Sequence, residues 1–501
     1  MSLPAPSDRV LSTLNPDGSR FWIRPKLSPG RFLTRRRVVA WGLIALFVLL
    51  PRIRIGGRPA FLIDLVTREI SIAGAVFRPS DGFLLMLLGL TVVLTVFFVT
   101  ALWGRVWCGW ACPQTVYLEH VFRPIERLWE GNPSEQRKLD AAKLPSWRRV
   151  GKWLSYAALA FAVANVFLAY FVGTDRLERW VTSSPAEHPV GFGIVVFVSA
   201  AMFFDFTYFR EQTCIVACPY GRLQSVMVDK QSLIIGYDAT RGEPRGKPAK
   251  KSLPVVGEPA DAARRGDCVD CGACVTTCPT GIDIRGGLQM ECIGCAQCID
   301  ACDHVMDKLE RPRGLIRYTS EDELAGRPRH VWRVRTLVYP VLLAVVGALF
   351  VWNLGNRTAT EVWVLRPAGP TFFPLDGGKV AAQVRIKLEN KTDVTRTYRV
   401  ELVESDVGTL RTPMPSWTLA PGKSAELPLF VDAATTVFQR GQRVVHLRLS
   451  DDHGWQKTIS VDLIGPDHSG DDDAKPDDHH DDKHDDKHDD TRDDTREEHK
   501  P

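Results

Sequence analysis

Eight of the twelve cysteines fall in two matched runs within residues 268–302. The first is Cys268-x2-Cys271-x2-Cys274-x3-Cys278, followed by Pro279. The second is Cys292-x2-Cys295-x2-Cys298-x3-Cys302, followed by Asp303. A cubane iron–sulfur cluster needs four thiolates, three from a tight loop and one from a distance. In the two-cluster pattern the last cysteine of each run serves the other cluster. The spacing therefore predicts a bacterial ferredoxin-like fold. One [4Fe–4S] cluster is expected on Cys268, Cys271, Cys274 and Cys302, the second on Cys292, Cys295, Cys298 and Cys278. The small residues Gly272, Ala273, Gly294 and Ala296 let backbone N–H groups approach the sulfurs. Structural zinc would instead show two CxxC pairs across a longer spacer. Disulfides would need an oxidising compartment. One-electron chemistry is the expected activity.

The remaining chain is built for a membrane. Residues 82–102 and 153–173 carry no charge, and 190–204 continues into a plausible span through 209. Residues 336–352 are apolar between Tyr339 and Trp352, which suit an interface. A shorter run, 38–50, follows Arg35-Arg36-Arg37 and is read as a first span. The alternative for it is a signal anchor or interfacial helix. The polar first thirty residues do not resemble a cleavable signal peptide.

About five spans put the chain ends on opposite sides. Lys and Arg number eight in residues 1–37, nine in 103–152 and eighteen in 205–333, but two in 174–189. By the positive-inside rule the first three segments are cytoplasmic, and the part after the last span is periplasmic. The five arginines of 52–81 fit this poorly. All twelve cysteines precede residue 303, which agrees with a reducing side for the thiols. The expected organisation is a multidomain α-helical membrane bundle with an inserted ferredoxin-like domain and a C-terminal sandwich. Its parts are a segment 1–37, four spans in 38–209 with a loop at 103–152, a cluster domain at 210–333, a fifth span at 334–353, a β domain at 354–466 and a tail at 467–501. The tail has net charge −10 and the remainder +14. That basic excess reflects loop topology rather than nucleic-acid binding.

Two further pairs, Cys108-x3-Cys112-Pro113 and Cys214-x3-Cys218-Pro219, each follow a span. An i, i+4 pair is expected on one helix face. Both pairs lie at the same membrane face, so four soft thiolates could meet and hold Cu(I), Zn or an Fe–S cluster. Free cysteines also pack as small hydrophobes. Two identical motifs favour a copper or redox-thiol site over a shared third cluster. Glu119 and His120 nearby could be ligands or proton carriers, but are read as part of a solvated amphipathic helix. Asp205 is read as interfacial.

Residues 357–465 alternate with period two: Val384, Ile386 and Leu388; Tyr398, Val400 and Leu402; Val445, Leu447 and Leu449; Ile459, Val461 and Leu463. Asp451-Asp452-His453-Gly454 is a hairpin turn between the last two runs. Such a pattern predicts an immunoglobulin-like sandwich without a disulfide, a docking module or a passive stalk. The Asp/His-rich tail cannot fold alone. His479, His480, His484 and His488 could capture Cu(II), Zn(II) or Ni(II) weakly, or simply belong to a solubilising segment.

With these features together the chain resembles the CcoG/FixG family of membrane polyferredoxins. The carrying segments are Trp107-Cys-Gly-Trp-Ala-Cys-Pro-Gln114, Arg210-Glu-Gln-Thr-Cys-Ile-Val-Ala-Cys-Pro-Tyr-Gly-Arg222, Arg241-Gly-Glu-Pro-Arg-Gly246, the two cluster runs and Cys302-Asp-His-Val-Met-Asp-Lys308. Asp303 is expected within that family. The resemblance implies a bacterial inner-membrane accessory protein for assembly of cbb-type cytochrome oxidases. It implies a cupric reductase that delivers Cu(I), with oxidase subunits or copper chaperones as partners. Cys108, Cys112, Cys214 and Cys218 would then be the copper or redox thiols. The competing readings are a quinol-linked electron-transfer subunit and a non-catalytic assembly scaffold. No Gly-rich dinucleotide fingerprint is evident, so a flavoprotein, ferredoxin or quinol must supply electrons. A homodimer is compatible with all of these.

Overall fold

The computed structural model describes residues 12–142, 146–246, 266–330, 332–367 and 369–467. The chain divides into two compact units, Met1–Asn356 and Arg357–Pro501. The histidines of the tail lie outside the described residues.

In the first unit four helices are long and apolar enough to cross a membrane: Pro79–Trp103, Trp147–Val172, Pro189–Phe209 and Val334–Gly355. Their apolar side chains point outward as well as inward; Phe83, Val92, Val190, Phe197, Val341 and Val351 are exposed. Hydrocarbon around the helices removes the cost of that exposure.

The helix Arg31–Leu49 starts seven residues before the expected span. Asp300 explains the early start. Its carboxylate accepts the N–H groups of Phe32 (3.1 Å) and Leu33 (2.8 Å), as a capping carboxylate does at a positive helix end. A Cβ on Gly30 would lie 2.3 Å from Asp300 Cγ, so only glycine fits there. Arg36 is buried and donates from Nε to the Gly109 carbonyl at 2.9 Å. At the other end Tyr170 OH donates to the Phe47 carbonyl at 2.7 Å. Tyr170 sits in the last turn of Trp147–Val172. The first helix thus runs from the cysteine-rich face to the far end of the helical layer, although the three arginines leave it outside the four most apolar helices.

At that far end, strands Phe61–Asp64, Glu69–Ile72 and Ala75–Phe77 form an antiparallel meander. Arg54 pairs with Asp175 at 2.7 Å, Arg176 with Asp64 at 3.3 Å and Arg78 with Glu69 at 3.0 Å. Two of the five arginines that fitted the charge rule poorly are therefore neutralised locally.

Residues 103–142 are not an open loop. They form helices Val106–Trp110, Pro113–Tyr117, Arg123–Glu130 and Pro133–Ala141, with a π-turn at Leu118–Phe122. The solvated-helix expectation for Glu119 and His120 fails here. His120 is buried, and Glu119 pairs with buried Arg123. Burial, then the neighbouring Arg36 cation, pushes the His120 pKa down to about 4, so the ring is neutral at pH 7.

The second unit is the expected two-sheet sandwich. One sheet runs in the order Gly408–Arg411, Ser424–Ala434, Lys379–Asn390, Thr360–Leu365, with Phe372–Leu375 also pairing on Lys379–Asn390. The other runs Trp417–Leu419, Arg396–Leu402, Gln442–Asp451, Gln456–Ile464. Val384, Ile386, Leu388, Leu447, Leu449 and Leu463 meet in its core, and the turn at 451–454 closes a hairpin that pairs Ser450 with Gln456.

Candidate functional site

The ferredoxin-like segment is held between strands Ile234–Tyr237 and Ile316–Thr319 and the helix Gln297–Lys308. One cavity is lined by Cys268, Cys271, Cys274 and Cys302. A second is lined by Cys274, Cys278, Cys292, Cys295 and Cys298, so Cys274 borders both cavities. Cys278 thus shares a cavity with three thiols of the second run, and Cys302 with three thiols of the first. The ligand loops turn through left-handed residues, Gly272 at φ 65°, Gly294 at φ 68° and Ala296 at φ 62°. Those turns aim consecutive thiols into one cavity, and the strained Ala296 shows how tightly the loop is specified. Burial pushes the Cys274, Cys295 and Cys302 thiols up to about 12 and Cys292 to about 11. Such thiols stay protonated until a metal displaces the protons.

Among the described residues no three His, Cys, Asp or Glu side chains converge on a single-ion site. That holds for the ferredoxin thiols too. Thiols spread around a cavity suit the corners of a multi-iron cluster, and a [4Fe–4S] group fits the donor set present.

The other four cysteines form a second centre at the end of the spans. The helix-face expectation is corrected here. Cys108 lies on Val106–Trp110, but Cys112 is extended (φ −62°, ψ 126°) and starts the next helix at Pro113. Cys214 lies in the π-turn Thr213–Ala217, and Cys218 is likewise extended (φ −73°, ψ 112°) before Pro219. Proline disfavours the helical conformation of the residue before it, and here both preceding cysteines are extended, so each pair straddles a helix break.

The two halves are an internal repeat. Each span ends in a left-handed turn, Gly104 at φ 55° and Arg210 at φ 52°. Each turn is followed four and eight residues later by cysteine. Each turn carbonyl is then bound by a glutamine of the other half: Gln224 Nε2 donates to Gly104 O at 2.9 Å and Gln114 Nε2 to Arg210 O at 3.1 Å. Cys108 Sγ donates to Gln224 Oε1 at 3.1 Å. Burial, followed by the neighbouring thiols of this group, raises Cys108 and Cys214 to about 12. All four thiols therefore lie within electrostatic reach of one another.

This centre abuts the second ferredoxin cavity. Arg105 donates to the carbonyls of Met290 and Cys292, the latter at 3.2 Å. Trp110 Nε1 donates to Tyr318 OH at 3.1 Å, and Tyr318 OH to Gly294 O at 2.8 Å. A Cβ on Gly109 would meet Ile293 O at 2.6 Å and Cys295 N at 2.9 Å, both backbone atoms. Gly109→Ala is therefore expected to push the two centres apart. A lower iron content and an altered EPR line shape of the reduced protein would show it; unchanged spectra would refute the contact. Sequence reasoning found all twelve thiols but missed Arg105, Gly109, Gln114, Gln224 and Tyr318. The equal four-and-eight spacing from Gly104 and Arg210 was the available signal.

Sequence profiles for "4Fe-4S dicluster domain" match residues 209–321, and those for "4Fe-4S binding domain" match 85–132. A profile for "IG-like fold at C-terminal of FixG" matches 350–466. Protein RdxA of Cereibacter sphaeroides is 36% identical over 396 residues, which are 75% of this chain and 81% of that protein. Nitrogen fixation protein FixG of Rhizobium meliloti is 34% identical over 432 residues, 78% of this chain and 80% of that protein. The chain belongs to the FixG/RdxA family. Methylamine utilization ferredoxin-type protein MauN of Methylorubrum extorquens is more distant, 28% identical over 192 residues, or 38% of this chain and 52% of that protein. As a family member the chain is an iron–sulfur electron-transfer protein with helices fit for a membrane.

Proposed function

We propose that this FixG-type protein passes single electrons from its ferredoxin-like clusters to Cu(II) that arrives at the thiol group Cys108, Cys112, Cys214 and Cys218. The carrying observation is the convergence of the two C-x3-C-P repeats on each other, with the first of them lying against the backbone of Cys292 and Cys295. Bound clusters supply electrons one at a time, the stoichiometry of Cu(II) to Cu(I). Soft thiolates favour the reduced ion. The Cu(I) product serves maturation of a cbb-type oxidase, with oxidase subunits or copper chaperones as recipients.

The proposed topology has five spans, counting Arg31–Leu49, whose contacts at both ends of the helical layer support it. The thiol centres are cytoplasmic, and the sandwich is periplasmic and docks partners. With dithionite-reduced, anaerobically purified protein, Cu(II) should re-oxidise the clusters rapidly. Cys108→Ser or Cys214→Ser should slow this at least about tenfold while ferricyanide re-oxidation is unchanged. Equal rates with Cu(II) in the variants would sink the copper role.

A second reading is that the four thiols hold a third [4Fe–4S] cluster. The profile match at 85–132 favours it, because Cys108 and Cys112 are the only cysteines in that stretch. The lack of a single-ion geometry favours it too. About twelve irons per chain, rather than about eight, would establish it.

A further inference from the structure

A cavity of about 200 Å³ opens beside the second cluster site and shares Cys292 with it. We propose that it binds the ring of a membrane quinol, which donates the electrons.

Its position selects a ligand that arrives from the bilayer. Trp103, the last residue of the span Pro79–Trp103, lines it and is half-exposed. Leu288 and Met290, from the loop between the two cysteine runs, complete an exposed apolar rim. An apolar rim at the end of a membrane helix admits a lipophilic molecule more readily than a charged soluble one. The inner wall is also largely apolar, with Val106, Val228 and Leu233.

Three polar side chains line it: Arg105, Gln289 and Tyr318. Arg105 spends part of its guanidinium on the carbonyls of Met290 and Cys292 and, with five N–H donors in all, has others to offer. Gln289 gives its amide N–H to Asp283 O, which leaves its carbonyl oxygen as an acceptor. A donor and an acceptor in an otherwise apolar slot match the two oxygens of a quinone or quinol ring.

Size narrows the class further. An apolar cavity of ~150 Å³ in another protein takes benzene, so about 200 Å³ accommodates one ring system. Nucleotide cofactors are larger than this space. The far wall is decisive for chemistry, because Cys292 and Gly294 of the second cluster loop form part of it.

The step balances. A quinol loses two electrons and two protons and becomes the quinone. Two oxidised clusters, held by the two sets of four cysteines, would take one electron each, and both protons would pass to water at the membrane face. This inference rests on the two ferredoxin-type clusters and not on copper.

The test uses the full chain in lipid nanodiscs. An azidoquinone should photolabel peptides from 228–235 and 288–292, and excess short-chain quinone should suppress that label. Val228→Trp, which fills the cavity, should lower labelling and the rate at which short-chain quinol reduces the oxidised clusters about tenfold. Its reduction by dithionite should match the parent. Label spread elsewhere, label not suppressed by competitor, no reduction of the parent by quinol, or parental quinol rates in Val228→Trp would overturn the site. If Val228→Trp fails to assemble, Met290→Trp plugs the mouth from an exposed position and is judged by the same readouts. Loss of Cu(II)-dependent re-oxidation alone leaves all of these readouts intact, so failure of the copper reading is separable.

Discussion

Cys278→Ser is expected to remove the cluster assigned to the second cysteine run and to leave the first-run cluster in place. Cys278 belongs to the first run in sequence but shares its cavity with Cys292, Cys295 and Cys298. A variant with about four irons fewer per chain should result, since one [4Fe–4S] group is lost. The EPR spectrum of the reduced protein should simplify from two interacting clusters to one. Serine at Cys302 should produce the mirror outcome, because Cys302 shares the cavity of Cys268, Cys271 and Cys274. If Cys278→Ser instead abolished the first-run cluster and spared the other, the crossed assignment would be wrong.

A large stability loss should accompany the missing cluster. The thiols are part of the hydrophobic core of this segment, packed with Ile235, Ile282, Ile284, Ile299, Leu315 and Ile316. Metal binding is then folding free energy, on the order of 10 kcal/mol where a structural metal organises a small domain. Thermal unfolding of Cys278→Ser under anaerobic conditions should begin well below the parent transition.

The ferredoxin-type domain was legible because cluster ligation leaves a local signature, a fixed spacing read straight from the chain. The sandwich was legible for a related reason: period-two alternation at Val384–Ile386–Leu388 or Val445–Leu447–Leu449 is local, and one buried face demands it. The long apolar helices were legible from length alone. What could not be read was whatever depends on distant chain segments meeting. Asp300 caps a helix about 270 residues earlier, so the start of Arg31–Leu49 was misplaced toward its apolar part. His120 looked solvated because its neighbours in sequence are polar, whereas its burial comes from tertiary packing. The C-x3-C pairs looked helical until the rule for residues before proline was applied at Cys112 and Cys218. The reciprocal glutamines carry no motif of their own, and only the paired turns at Gly104 and Arg210 give them meaning.

Least legible of all is the ionic network beneath the four-thiol centre, and Glu126→Ala should expose its importance. Arg210 donates to both oxygens of Glu126, at 3.1 and 2.8 Å. Arg24 reaches Glu126 at 3.1 Å, and Lys152 reaches Glu130 at 2.6 Å. Arg123 and Arg20 meet Glu211 at 3.3 and 3.4 Å. Arg210, Glu126, Glu130, Glu211 and Arg123 are all buried. The network ties the N-terminal segment, the helix Arg123–Glu130 and the turn that leads into Cys214. Deleting one partner of a buried pair leaves the other charge without compensation and costs about 3–5 kcal/mol. Glu126→Ala should therefore melt far below the parent, and Arg210→Gln added to Glu126→Gln should recover part of the loss. A Glu126→Ala protein that melts with the parent would show that the network contributes nothing.

The same carboxylate sets a pH dependence. Burial alone would raise the Glu126 pKa, but Arg210, then Lys152 and Arg24, more than reverse this and hold it at about 2, against 4.5 for an unperturbed glutamate. The folded pKa lies below the unfolded one, so this stabilisation is complete above about pH 5 and is lost as pH falls towards 2. Two to three pKa units correspond to roughly 3 kcal/mol. Unfolding midpoints measured between pH 7 and 3 should fall in the parent, and Glu126→Gln should flatten that part of the curve.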